Sequence, residues 1–185
     1  YVGGNVELHT SGSIRFSEPI VGGSVYLQAG IDVIDDDLTP IESTNDDSFI
    51  KIFAGRDIII REFVQTRGSN SDVTLSAGRS GNGIGGVHLS ELVVEERFDY
   101  EGYGAVIATG NVNIISSDLS TTPDVADSVV LDAAGGRNRI EAGGIIFISA
   151  DAAVILNGRI QAEQFIGIAV VAAQGVYGIE LGVDG

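Results

Sequence analysis

Apolar and polar residues alternate along most of the chain in short runs. Val6-Glu7-Leu8, Ile14-Arg15-Phe16, Val25-Tyr26-Leu27, Ile50-Lys51-Ile52 and Val73-Thr74-Leu75 each place apolar residues at every second position. A period of two sends successive side chains to opposite faces, so each run predicts a half-buried β-strand. The runs come in pairs with a small residue between them. The cleanest copy is Ile50 to Ile60, where Ala54-Gly55 separates two alternating segments. Val25 to Val33 repeats it around Ala29-Gly30, and Val73 to Gly78 begins it again, resuming at Val87-His88-Leu89. Starts at Val6, Val25, Ile50 and Val73 recur every 19 to 25 residues, a spacing typical of repeat architectures. Looser copies run through Val106 to Ile114, Val129 to Ile140, Ile146 to Leu156 and Ile160 to Val170.

Strands this short cannot bury an apolar face alone. Coils stacked about 4.8 Å apart bury it together. The pattern therefore predicts an all-β chain with one domain over residues 1–185. Its expected architecture is a parallel right-handed β-helix, a β-solenoid of some eight coils and about 40 Å in length. The Ala-Gly pairs are expected to turn corners with φ > 0. Asp35 to Ser48, Arg79 to Gly86 and Ser116 to Ser128 read as side loops. Ser90 to Phe98 fits either two helical turns or an irregular strand. An antiparallel β-sandwich is the alternative, since it too is built from short alternating strands. Its hairpin dipeptides are scarce, with Asn82-Gly83 and Asn157-Gly158 the main candidates.

Composition narrows the function classes. The 185 residues include 26 Gly, about twice the usual share, but only three Pro and no Cys. Disulfides and thiolate chemistry are excluded. The formal net charge is −16 and Lys51 is the sole lysine; such a field repels phosphate backbones and anionic lipid surfaces. The most apolar stretch, Phe165 to Ala173, is too short to cross a bilayer as a helix. With no leading Met and strand alternation still running at Ile179-Glu180-Leu181, a mature product or a piece of a longer chain is expected.

The V-x-L-x-A-G-x-x-I-x-I block, seen best at Ile50 to Ile60, resembles the repeats of filamentous-haemagglutinin-like bacterial exoproteins. Those are large secreted or surface-anchored adhesins built on right-handed β-helices. The resemblance implies an extracellular or cell-surface setting and supports the β-helix. Together with the repeat it makes the expected function that of a non-enzymatic structural and interaction module, an adhesin-like rod. Expected partners are neighbouring solenoid segments or further copies joined end to end into a filament, and host or matrix glycans.

Few clusters suggest chemistry. Asp35-Asp36-Asp37, with Asp32 upstream and Asn45-Asp46-Asp47 downstream, is the densest run of carboxylates. Hard oxygen donors in loops suit Ca²⁺, which makes Asp35, Asp37, Asp46 and Asp47 the candidate metal ligands. A solvated acidic loop explains the same run, and the rod itself requires no cofactor. Tyr100 and Tyr103 lie among carboxylates and would stack on glycan rings, or alternatively cover a solenoid edge. Asp57 between Arg56 and Arg61 is what a polysaccharide-acting β-helix enzyme or, more simply, a surface ion pair would use. His9 and His88 fall on outward strand positions.

Overall fold

The computed structural model describes residues 4–78, 85–89, 105–116, 129–131, 139–151, 153–156, 158–170 and 179–181. Tyr100, Tyr103, the helix-or-strand segment Ser90 to Phe98, and most of the two side loops expected after Arg79 and Ser116 lie outside those residues.

Each winding of the chain contributes three strands. The first has β1 (Val6–Thr10), β2 (Ile14–Phe16) and β3 (Ile20–Gly22); the second has β4 (Val25–Ala29), β5 (Val33–Asp35) and β6 (Ile41–Ser43). The third has β7 (Phe49–Ala54), β8 (Ile58–Ile60) and β9 (Phe63–Thr66), and the fourth has β10 (Asp72–Ala77), β11 (Val87–Leu89) and β12 (Ala105–Ala108). The fifth has β13 (Val112–Ser116), β14 (Val129–Leu131) and β15 (Arg139–Ala142). The sixth has β16 (Ile145–Ala150), β17 (Val154–Leu156) and β18 (Arg159–Ala162), and β19 (Phe165–Val170) and β20 (Ile179–Leu181) open a seventh.

Each strand from β1 to β17 pairs with the strand three places later, always in parallel. Three sheets result: sheet A with seven strands from β1 to β19, sheet B with seven from β2 to β20, and sheet C with six from β3 to β18. Among the described residues there is no helix and no antiparallel pair, so the chain is a parallel β-helix, its stacking consistent with the right-handed winding expected from the repeat. The sandwich alternative fails because no consecutive strands pair as hairpins. Among the described residues there are six complete windings and part of a seventh, against the eight expected. The shortfall arises because each coil carries three strands where the sequence pattern reveals two.

Register explains the core. Val6, Val25, Ile50, Val73, Val112, Ile146 and Ile166 form one inward column, each paired with the next. Leu8, Leu27, Ile52, Leu75, Ile114, Ile148 and Ile168 form a second two residues on. From Val25 to Ile148 the members of both columns are fully buried. A fully enclosed Leu or Ile side chain is worth about 1.5–3 kcal/mol in burial, so these columns dominate the stability of the stack.

Two expectations about the corners change. Asp35 to Ser48 is not a projecting loop, because it contains β6, whose Ile41 is fully buried. The isolated Ile-Glu-Ser triplet is too short for alternation to show. The corner glycines also act differently from the expected φ > 0 turn: among the described glycines only Gly78 has a positive φ, 78°. Gly30 is required by close approach instead, since a Cβ there would lie 2.3 Å from the Ser11 carbonyl oxygen.

Candidate functional site

Among the described residues, most carboxylates sit at the three corners where the strands of successive sheets meet. At the corner between sheets A and B, Asp57 N–H donates to Asp32 Oδ1 at 3.2 Å, and Gly86 N–H donates to Asp57 Oδ1 at 3.0 Å. Arg56 grips Asp32 with both Nε (2.8 Å) and Nη2 (2.6 Å). Asp32 is buried, which by itself raises its pKa. The hydrogen bonds from Arg56, the Asp57 amide and Ser13, with the Arg56 charge, outweigh that and hold the carboxyl below its ordinary value. The Arg56–Asp57 combination is thus a joint between coils, with Asp57 at the corner and not on an open strand face.

At the corner between sheets B and C, Asp35 is fully buried. It takes the inward strand position that Phe16 fills before it and that Leu89, Leu131 and Leu156 fill in later coils. Its Oδ1 accepts from the amides of Asp37 (3.2 Å) and Thr39 (3.0 Å) and from the Thr39 hydroxyl (3.1 Å). Its Oδ2 accepts from the Arg61 amide at 3.2 Å. These donors satisfy a carboxylate that burial would otherwise penalise. The turn it organises carries Leu38 at φ 54°. Glu62 nearby has its pKa raised by burial and by the Asp35 charge.

At the corner between sheets C and A, Asp46 Oδ1 accepts from the Ser69 amide (2.8 Å) and hydroxyl (2.7 Å), and Asn70 Nδ2 donates to Asp47 Oδ1 at 2.8 Å. Asp72 and Asn111 continue the series by accepting from the Asn111 amide (2.6 Å) and the Ile145 amide (2.9 Å). Beneath them Ser48, Ser71 and Thr109 form a hydroxyl chain: Ser48 Oγ donates to Ser71 Oγ at 3.1 Å, and Ser71 N–H donates to Thr109 Oγ1 at 3.0 Å.

The four candidate metal ligands are therefore divided. Asp35 and Asp37 belong to the B–C corner and Asp46 and Asp47 to the C–A corner, with β6 between the pairs. No group of three or more His, Cys, Asp or Glu side chains able to hold an ion occurs among the described residues. The sequence pattern suggested convergence because the two acidic runs are neighbours along the chain. Winding around a three-sided coil separates them.

Both histidines do point outward. His9 Nε2 lies 2.7 Å from Glu7 Oε1, and the ring stacks on Tyr26 with centroids 5.1 Å apart. Tyr26 in turn meets Phe53 at 5.5 Å, forming an aromatic ladder over three coils of sheet A. His88 stands in the outward column of sheet B between Ile59 and Val130. Burial holds its pKa below the usual 6.5, with Asp57 opposing.

A surface feature that alternation did not single out lies on sheet C. A cleft of about 490 Å³ is bounded by Ile107, Glu141, Arg159, Gln161 and Glu163, with Gly143 at its edge. Ile107, Glu141 and Gln161 are in register on β12, β15 and β18. Only the register between distant segments assembles this row, so no local motif marks it. Searches against family models, curated proteins and solved structures found no match to the chain.

Proposed function

We propose that the chain is a structural and interaction module, a rod of stacked β-coils from a secreted or cell-surface bacterial protein that spaces or displays binding surfaces and joins further solenoid segments end to end. The observation that carries this reading is the unbroken in-register core. Columns of aliphatic residues run from the first coil to the last, and the bidentate Arg15–Asp36, Arg56–Asp32 and Arg67–Glu42 pairs tie one coil to the next. That construction favours axial continuity. At the two outermost coils the inward-facing Leu8 and Ile166 are 44% and 39% exposed. These surfaces suit apposition of another coil, which would pair the open strand edges as well.

The charge supports the same reading. Many of its carboxylates are acceptors for the next coil's amides, so acidity is partly a structural device of the rod. Negative-stain electron microscopy together with sedimentation over a hundredfold concentration range tests the proposal. Rods that lengthen with concentration are expected. Compact, monodisperse particles without axial growth would refute end-to-end association. A charge placed on the end surface, Ile166→Asp, is expected to abolish the lengthening while leaving the circular dichroism unchanged.

A further inference from the structure

We propose that the cleft on sheet C in coils four to six binds a neutral oligosaccharide. The site lies on the outward face of the coils, with Arg159 and Gln161 on β18, the last strand of sheet C, so rod assembly and sugar binding are read by separate measurements.

The cleft presents a mixed set of planar polar groups at the inter-strand spacing of about 4.8 Å. In one row, Ile107, Glu141 and Gln161 offer an apolar surface, a carboxylate acceptor and an amide on three consecutive coils. In the parallel row Arg139 and Arg159 are in register, with Arg139 Nε 3.8 Å from Glu141 Oε1 and Arg159 Nη2 donating to Gln161 Oε1. Glu163 closes the C–A corner, its amide donating to the Ala142 carbonyl at 3.2 Å. Sugar hydroxyls both donate and accept, so a ligand rich in them uses guanidinium, amide and carboxylate groups at once. Gly143, at the cleft's edge, lets the two coils close up: a Cβ there would lie 2.2 Å from the Thr109 carbonyl oxygen.

The charge of the site selects among ligands. Among the described residues, Arg159 in the cleft and Arg139 beside it match Glu141 and Glu163 in number, while the chain as a whole carries −16. Polyanions are repelled at long range and meet no cationic surplus at short range. A peptide adding as a strand would pair with the open edge of β18, whereas the cleft is lined by the outward side chains of β12, β15 and β18.

Around the corner the surface turns aromatic. Beyond Gly144, the outward residues Ile145, Phe147 and Phe165 of sheet A are 39%, 40% and 61% exposed. Both rings lean over Gly167, where an added Cβ would lie 2.9 Å from Phe165 Cε1 and 3.3 Å from Phe147 Cδ2. The strands β13, β16 and β19 carry no charged residue at all. A sugar chain leaving the polar cleft therefore meets rings with an apolar, electron-rich face.

Affinity electrophoresis of the full chain tests this, using gels containing neutral polysaccharides (glucan, mannan, galactan) or polyanions (polygalacturonate, heparin). Retardation by at least one neutral polymer is expected. The exposed double variant Arg159→Ala/Gln161→Ala should weaken it by about tenfold or more, and Ile107→Glu, at a half-buried floor position, should do likewise. The proposal is overturned if no neutral polymer retards the protein, if only polyanions do, or if retardation survives both cleft variants. Filament formation is read separately by microscopy, so loss of either property does not imply loss of the other.

Discussion

The first three coils and the last three wind alike but are held differently. In the early coils the described interior includes Asp32, Asp35, Ser43, Ser48 and Thr66 among its buried residues, and bidentate arginine pairs run from coil to coil. Arg15 holds Asp36, Arg56 holds Asp32 and Arg67 holds Glu42, with contacts of 2.5–2.9 Å. In coils five to seven the described interior is aliphatic apart from Ser116, whose hydroxyl reaches back to the Gly85 carbonyl. The comparison separates two jobs. Aliphatic columns supply the energy of stacking in both regions. Directional polar bonds at the corners set how each coil of the first region seats on its neighbour.

Core truncation tests the shared part and has the largest expected effect. Ile52→Ala in coil three and Ile114→Ala in coil five should each lose about 2–5 kcal/mol in urea unfolding. A much smaller loss in one of them would mean the columns do not carry the two regions equally. Next comes Asp35→Ala, which strips the acceptor from the Asp37, Thr39 and Arg61 amides. At about 1–3 kcal/mol for each buried donor left unpaired, a loss of about 3 kcal/mol is expected, with hydrogen exchange speeding up in the early coils first. Uniform exchange along the rod would contradict the regional division.

Acid gives a graded test between the regions. His88 is held below 6.5 by burial, so below that value the unfolded chain takes up a proton that the folded chain refuses. Stability is therefore full above pH 6.5 and declines as pH falls from there. His88→Val, matching Val130 one coil on, should flatten the unfolding free energy between pH 7 and 5. Asp32 acts lower. Its carboxyl is depressed below the ordinary 3.8, so its contribution is complete above that value and disappears as pH falls through the folded one. Asp32→Asn should weaken the acid-labile step of the early coils, narrowing the gap between the acid melting curves of the two regions, while Asp46, held below its ordinary value by the Ser69 hydroxyl and amide, keeps part of it. The smallest effect belongs to Arg67→Ala: its guanidinium is half exposed over the more enclosed Glu42 carboxylate, and about 1 kcal/mol is expected from thermal denaturation.

Several elements were legible in the order of residues, and the reason is local. Ile50 to Ile60 displays both its strands and its corner because alternation and small residues are properties of neighbours. The strand beginning Val112 was legible for the same reason. The third face was legible only in its later strands, where Val106, Ile140 and Ile160 fell within the looser copies. Ile20-Val21-Gly22 and Ile41-Glu42-Ser43 are three residues long, and a single period of alternation cannot be told from chance. Asp35 was misleading for a related reason: its strand position is inward, but a carboxylate there looks like a loop residue until its amide donors are in place. The cleft residues Glu141, Arg159 and Gln161 read as ordinary outward positions of separate strands.

What the sequence by itself determined is the period of the strands, the small residues at the bends, the acidity and the need for windings to cover one another, since each follows from the chemistry of adjacent residues. The number of faces, the corner at which each carboxylate lands, and the register that lines up Ile107, Glu141 and Gln161 were decided only by the tertiary structure. Those depend on segments tens of residues apart meeting at one level of the stack, a constraint imposed by the shared core and the corner hydrogen bonds, and no local pattern carries it.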